Sequence, residues 1–299
     1  MYRERLLLED RVAVVFGGAG GGMGTQTALA VVDAGAKLVA VDINEERVKE
    51  TERQVTELGG TCIGIGADVR ELDELRGVYE RAVQEFGGVD CVVNLVGGMR
   101  LVTRTAADTP VTGVRSGSTP KGGGWLGIDD YPDDVYDDLI TLNMTYAFNS
   151  CREAARIMLR QGRGGSIVNF ASVSALAAAP YHIPYGMAKA GVMSLTRSVA
   201  VELGPSGVRC NCVVPGSVPA PLAQNSYPAA FDDITDRASR KSPLGRRVAP
   251  EEIAGAALFL LSDLSGGITG QCLNVDAGAS ANCPLGTGLE YQQTTALRQ

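Results

Sequence analysis

Tyr185 and Lys189, in the stretch "YGMAK", stand four residues apart just after a proline, a spacing that puts both side chains on one helix face. The pair has a chemical use. A phenol with a reference pKa of about 10 is a poor base at neutral pH. An ammonium one helical turn away favours the phenolate, which suits Tyr185 to exchange a proton with an alcohol or a carbonyl. His182, the only histidine, lies three residues before Tyr185. A Ser–His–Asp hydrolase reading fails, because that chemistry on an α/β sheet uses a G-x-S-x-G turn, and the serines nearby sit in "FASVS". His182 is expected in a pocket wall or loop.

A second constellation is the glycine loop "FGGAGGGMG" at 16–24. The spacing G-x-G-x-x-G fits no register, since its last position falls on Met23 or Thr25. The spacing G-x-x-x-G-x-G fits once, at Gly18, Gly22 and Gly24, with Met23 between the last two. The loop follows an apolar run and opens a helical pattern. In that context backbone N–H groups and the helix dipole attract a pyrophosphate. Asp42 ends the next apolar run, 18 residues beyond Gly24. A carboxylate there accepts from both ribose hydroxyls and repels a 2′-phosphate. The loop carries no Arg or Lys, so NAD is expected over NADP. Asp42 also has a second reading, as N-cap of the helix that starts near Glu45.

The elements that must position these residues are legible as alternating strands and helices. Strands are expected at 11–16, 37–42, 61–69, 89–97, 165–173, 208–216 and 271–278. Helices are expected at 23–33, 45–58, 71–87, 133–161, 184–203 and 250–262. Several strands are uniformly apolar, the mark of a parallel sheet buried on both faces. The expected fold class is α/β, a single-domain, Rossmann-type doubly wound parallel sheet of about seven strands with helices on both faces. Its core spans about 9–280 of a single domain over 1–299. The segment 98–132, rich in Gly, Thr, Ser and Pro, lacks periodicity. It is expected to be an irregular insertion that folds over or beside the pocket, with Trp125 in contact. Residues 281–299 form a polar tail that is either disordered or docked on a neighbouring subunit.

Composition excludes several partner classes. A net charge of −7 without a basic run argues against nucleic acid and anionic membranes. No apolar stretch approaches the length of a membrane span, and "MYRERLLLEDR" does not resemble a secretory signal. Seven cysteines without paired spacing indicate a reduced, cytoplasmic protein. Cys210 and Cys212 share one strand face, and with one histidine no metal site is expected.

Taken together, these motifs resemble the short-chain dehydrogenase/reductase family. The resemblance rests on Gly18, Gly22 and Gly24, on Tyr185 and Lys189, and on Ser172, placed before Tyr185 at the family's spacing. It implies hydride transfer between NAD(H) and a secondary alcohol or ketone. It further implies a tetrad of Asn143, Ser172, Tyr185 and Lys189. Ser172 would hold the substrate oxygen, Lys189 the nicotinamide ribose, and Asn143 a water that links Lys189 to solvent. Ser174 is a second polar contact or a loop residue. Asp68 and Val69 resemble the family's adenine-contacting pair, and "NLVG" brings Asn94 and Gly97 to its cofactor segment. Pro215 and Gly216 would pass the nicotinamide.

The chain also departs from the family's pattern. Gly17 replaces a threonine, which implies a looser turn. Ala220 replaces the threonine that binds the carboxamide, leaving Val218 backbone groups or Ser217 to substitute. The resemblance implies a dimer or tetramer joined through 133–161 and 184–203, and a mobile substrate loop at 217–245. Apolar residues at 173–183 suggest a hydrophobic cyclic or steroid-like substrate. The alternatives are an NADPH-dependent 3-oxoacyl-type ketoreductase, which Asp42 opposes, and a non-catalytic dinucleotide sensor, which a complete tetrad opposes. Epimerisation or dehalogenation would alter the surroundings of the Ser or the Tyr, and nothing here demands it.

Overall fold

The computed structural model describes residues 2–99, 102–104, 110–112, 127–219, 236 and 239–281. Trp125, Ala220, most of the 217–245 loop and the tail from 282 lie outside the described residues. In chain order the strands are β1 (Val12–Phe16), β2 (Lys37–Asp42), β3 (Cys62–Gly66), β4 (Cys91–Asn94), β5 (Val102–Arg104), β6 (Pro110–Thr112), β7 (Gly165–Phe170), β8 (Val208–Pro215) and β9 (Cys272–Val275). The helices are α1 (Tyr2–Leu6), α2 (Met23–Asp33), α3 (Glu45–Glu57), α4 (Leu72–Phe86), α5 (Asp133–Ile140), α6 (Tyr146–Gln161), α7 (Ile183–Leu203) and α8 (Pro250–Leu261).

Seven strands form one parallel sheet in the order β3-β2-β1-β4-β7-β8-β9. The alternation along β1 shows why its residues favour this fold. Val12, Val14 and Phe16 pack into a cluster with residues of α4, α6 and α7, while Ala13 and Val15 pack with residues of α2 and α8. Both faces are therefore covered, as a parallel sheet requires. Val14 pairs with Val39 of β2 on one side and with Val92 of β4 on the other. The chain order reverses there, and in open α/β sheets the crevice beyond the carboxyl ends of such strands is where ligands bind.

Two expectations need correction. The insertion is not irregular throughout: β5 and β6 pair antiparallel, with Thr103 opposite Val111. Three-residue strands carry too few alternations to be read as a period. The helix expected at 133–161 is also interrupted, by a π turn at Thr141–Thr145. Its cause is Asn143, whose Nδ2 donates to the Leu139 carbonyl at 3.0 Å. That carbonyl is the one that the Asn143 N–H would use in an α-helix, and π turns cluster at functional positions.

Candidate active site

The glycine loop leaves the carboxyl end of β1 and enters α2. Gly17 N donates to the Val41 carbonyl at 2.8 Å, and Gly20 N donates to the Gly17 carbonyl at 3.1 Å. Gly17 itself sits at φ +83°, where a threonine would be strained. The turn expected to be loose is instead fastened by its backbone. Gly24 is obligatory, because a Cβ there would lie 1.9 Å from the Gly17 carbonyl oxygen. Helix α2 has no side-chain cap at its first turn. Uncapped N–H groups behind a close-packed glycine turn suit a phosphate group.

Asp42 lies beside this loop, its Oδ2 3.2 Å from the position that a Cβ on Gly20 would take. Asp42 is not the helix cap. Asn44 holds that role, accepting from Arg47 N, while Asp42 Oδ1 accepts from Asn44 N. At the end of β3, the Asp68 carboxylate is held by Arg70, which also reaches Asp138 of α5. That pairing keeps the Asp68 carboxyl below its usual range. Val69 is buried in the core. No sequence motif marks Arg70, because its part is set by Asp138 of α5, far away in sequence.

The catalytic candidates converge at the ends of β4 and β7. Asn143 accepts from Gly98 N at 3.0 Å and donates to Gly98 O at 2.9 Å. Lys189, 3% exposed, donates from Nζ to the Phe170 carbonyl at 3.0 Å, tying α7 to the end of β7 two residues before Ser172. The same Nζ lies 5.9 Å from the centroid of the Tyr185 ring. Burial pulls the Lys189 ammonium down to about 8, so it still carries most of its charge at neutral pH. Gly97 makes this convergence possible. It sits at φ +149°, and a Cβ there would lie 2.5 Å from Asn143 Oδ1 and 2.8 Å from Lys189 Nζ.

Ser172 follows β7 and caps a short 3₁₀ turn, its Oγ accepting from Ser174 N at 3.2 Å. The loop beyond it lies against α7 beside Tyr185, where a Cβ on Gly186 would meet the Ser174 carbonyl at 3.0 Å. His182 is the N-cap residue of α7, half-buried, with Nδ1 unpartnered among the described residues and its pKa lowered by burial.

Two cofactor candidates sit differently from the expectation. Asn94 is 1% exposed, and its side chain is engaged by Ser150, Cys151 and Asn169. What it offers a ligand is the placement of the β4 end. Past β8, Gly216 packs against Asp276, and the Val218 carbonyl accepts from Arg247 Nη2 at 2.7 Å. The neighbouring Ser217 Oγ is buried and has no hydrogen-bond partner among the described residues.

Among the described residues no helix is long and apolar enough to cross a membrane. Residues 11–118 match a family model described as short chain dehydrogenase, and residues 122–280 one described as enoyl-(acyl carrier protein) reductase. The chain is 32% identical over 284 residues to 3beta-hydroxysteroid dehydrogenase 2 of Eggerthella lenta, covering 93% of this chain and 98% of that protein. It is 32% identical over 281 residues to L-rhamnose 1-dehydrogenase (NAD(P)(+)) of Azotobacter vinelandii, covering 93% and 99%. Among solved structures, it superposes with a TM-score of 0.76 on a 7 alpha-hydroxysteroid dehydrogenase complexed with NADH and 7-oxo glycochenodeoxycholic acid. The identity there is 26%, with 92% of this chain and 96% of that one covered.

Proposed function

The chain belongs to the short-chain dehydrogenase/reductase family of oxidoreductases, and from that premise we propose that it interconverts a secondary alcohol and a ketone with NAD(H). Asn143, Ser172, Tyr185 and Lys189 are its catalytic residues in this reading. The observation that carries it is the buried Lys189 ammonium beside the Tyr185 ring, fixed by Phe170 O and packed against Gly97.

A bound nicotinamide dinucleotide supplies the hydride acceptor or donor. The protein's share is the proton and the geometry. The Lys189 charge favours the Tyr185 phenolate, so Tyr185 accepts the alcohol proton during oxidation and returns it during reduction. Ser172, held by its turn, donates to the substrate oxygen and keeps it at Tyr185. Asn143 fixes the backbone at Gly98 and thereby the wall against which Lys189 rests.

Gly18, Gly22, Met23 and Gly24 form the phosphate turn, with Asp68 and Val69 flanking the adenosine side, Gly97 beside Lys189, and Pro215, Gly216 and Val218 on the nicotinamide side. The buried Ser217 Oγ, without a hydrogen-bond partner among the described residues, fits the carboxamide group that Ala220 cannot hold. Asp42 beside Gly20 supports NAD, since its charge opposes a 2′-phosphate.

For the substrate, the apolar 173–183 segment and the steroid-acting relative and structural neighbour support a hydrophobic cyclic or steroid-like alcohol. Exposed Phe148 and Leu159 on α6, with Met187 and Val201 on α7, support a homodimer or homotetramer. Six free cysteines among the described residues fit a reduced, cytoplasmic setting.

The test is a panel of hydroxysteroids, alicyclic alcohols, sugars and 3-oxoacyl thioesters with NAD(H) and NADP(H), run beside Tyr185→Phe. We expect NAD-linked turnover that falls by about 10²- to 10⁴-fold in the variant. Retained turnover in Tyr185→Phe overturns the mechanism, and a strong NADP preference overturns the role of Asp42.

A further inference from the structure

Cys212 and Cys272 are register partners on the adjacent parallel strands β8 and β9. Neighbouring strands lie about 4.8 Å apart, inside the range of Cα separations that a disulfide spans. The two thiols differ in access. Cys212 is fully buried, whereas Cys272 is only partly covered, on the last strand of the sheet. The Cys212 thiol donates to the Val213 carbonyl at 3.4 Å, and the Cys272 sulfur lies near Cys212 and Arg197 of α7.

We propose that Cys272 is a peroxide-reactive thiol and that Cys212 is its resolving partner, so that a hydroperoxide closes a disulfide between β8 and β9. In the first step the Cys272 sulfur attacks the outer peroxide oxygen. The O–O bond breaks, the remaining alkoxide or hydroxide leaves with its electron pair, and Cys272 becomes a sulfenic acid. In the second step the Cys212 sulfur attacks Cys272, the S–S bond forms and water leaves. Two thiols lose two electrons to the peroxide, and no other oxidant is needed.

The electrostatics agree with this division of labour. The neighbouring Cys212 thiol and the Arg197 charge lower the Cys272 thiol from its ordinary value, which favours its thiolate. The other shifted thiols move the opposite way. Burial pushes Cys62 and Cys91 up to about 12. The neighbouring Cys272 and burial hold Cys212 high as well, as befits the partner that keeps its proton until the second step.

Cys151 of α6 and Cys210 of β8 form a second pair of neighbouring thiols, Cys151 Sγ donating to Asn169 Oδ1 and Cys210 Sγ accepting from Asn169 Nδ2, both at 3.5 Å. Both are buried, at 2% and 0% exposure, so a peroxide in water does not reach them, and they serve as the internal control. Cys212 also feels the charge of Lys189, which places the pair's redox state beside the site.

The test uses the reduced, full-length protein. It is exposed to hydrogen peroxide at neutral pH, quenched with an alkylating agent, digested and mapped by mass spectrometry. The expected product is a Cys212–Cys272 linked peptide, with two of the seven thiols lost and both recovered by dithiothreitol. Cys272→Ser should slow thiol loss by about tenfold. Cys212→Ser should stop Cys272 at a sulfenic acid that dimedone traps. Cys283 lies outside the described residues, so a Cys283→Ser background removes it as an alternative partner.

The proposal is overturned if Cys272 remains fully alkylatable after peroxide. It is equally overturned if the linked peptide joins Cys151 to Cys210, or Cys272 to its copy in another chain. None of these outcomes depends on which alcohol the protein oxidises.

Discussion

Asn143 grips Gly98 with both ends of its carboxamide, Oδ1 accepting from the N–H at 3.0 Å and Nδ2 donating to the carbonyl at 2.9 Å. A helix side chain thus takes the part of a neighbouring strand for the chain that leaves β4. The grip fixes Gly97, against which Lys189 Nζ packs. Gly97→Ala must fail on two counts: the φ of +149° is costly for alanine, and its Cβ meets Asn143 Oδ1 at 2.5 Å. The expected outcome is a loss of kcat of about 100-fold or more with a circular dichroism spectrum like wild type, because a misplacement near 1 Å costs that much. A variant that keeps near-normal kcat would show that Lys189 does not depend on this wall.

Lys189 is held in the fold at the expense of stability. Its pKa falls from 10.5 to about 8 on burial. Between those values the unfolded chain binds the extra proton, so stability rises with pH across that window, and the penalty is fully present below pH 8. A shift of this size corresponds to on the order of 3 kcal/mol. Lys189→Met removes the buried charge but leaves Phe170 O without its donor, a loss of about 1 kcal/mol. Urea denaturation at neutral pH should find Lys189→Met more stable than wild type by about 1–2 kcal/mol, with catalysis lost. A less stable variant would show that Lys189 is not a penalised charge.

What was legible in the chain was local, and what was not depends on elements far apart in sequence. The Tyr185–Lys189 spacing, the register of Gly18, Gly22 and Gly24, and Asp42 at a strand end are each set within one turn or one strand. The helix carrying Asn143 kept its apolar period, so the π turn was hidden; it follows from hydrogen bonds to Leu139 and Gly98. The resemblance of "NLVG" to the family's cofactor segment points Asn94 at a ligand, and only the packing of α6 and β7 shows its side chain engaged. Gly17 in place of a threonine implies a looser turn only because a positive φ leaves no trace in a run already rich in glycine.

Asp42 gives the cofactor prediction. Its carboxylate lies beside Gly20 and the glycine turn, where a 2′-phosphate would meet its charge. Asp42→Ala should shift the ratio of kcat/KM for NAD over NADP toward NADP by about 10- to 100-fold, the range of a lost hydrogen bond to a charged group. The shift should appear mainly in KM, because the ribose is remote from the reacting carbon. An unchanged ratio would remove Asp42 from the cofactor site.

Asn94 and Asn169 give the last prediction, which separates a cofactor residue from a core one. Asn94 Nδ2 donates to Asn169 Oδ1 at 2.8 Å, and Asn169 Nδ2 donates to Thr196 Oγ1 at 3.0 Å. On the other side Ser150 Oγ donates to Asn94 Oδ1 at 2.6 Å, which leaves the Tyr79 hydroxyl as donor to Ser150. The network links α4, α6, β4, β7 and α7, and all its members are buried. Removing one member leaves buried partners unsatisfied, at about 1–3 kcal/mol for each orphaned group. Asn94→Ala and Asn169→Ala should therefore lose similar stability, roughly 2–4 kcal/mol in denaturant titration, and their double variant should lose less than the sum. Their KM values for NAD should also change alike. A KM raised in Asn94→Ala but not in Asn169→Ala would return the Asn94 side chain to the cofactor, against the hydrogen bonds that engage it here.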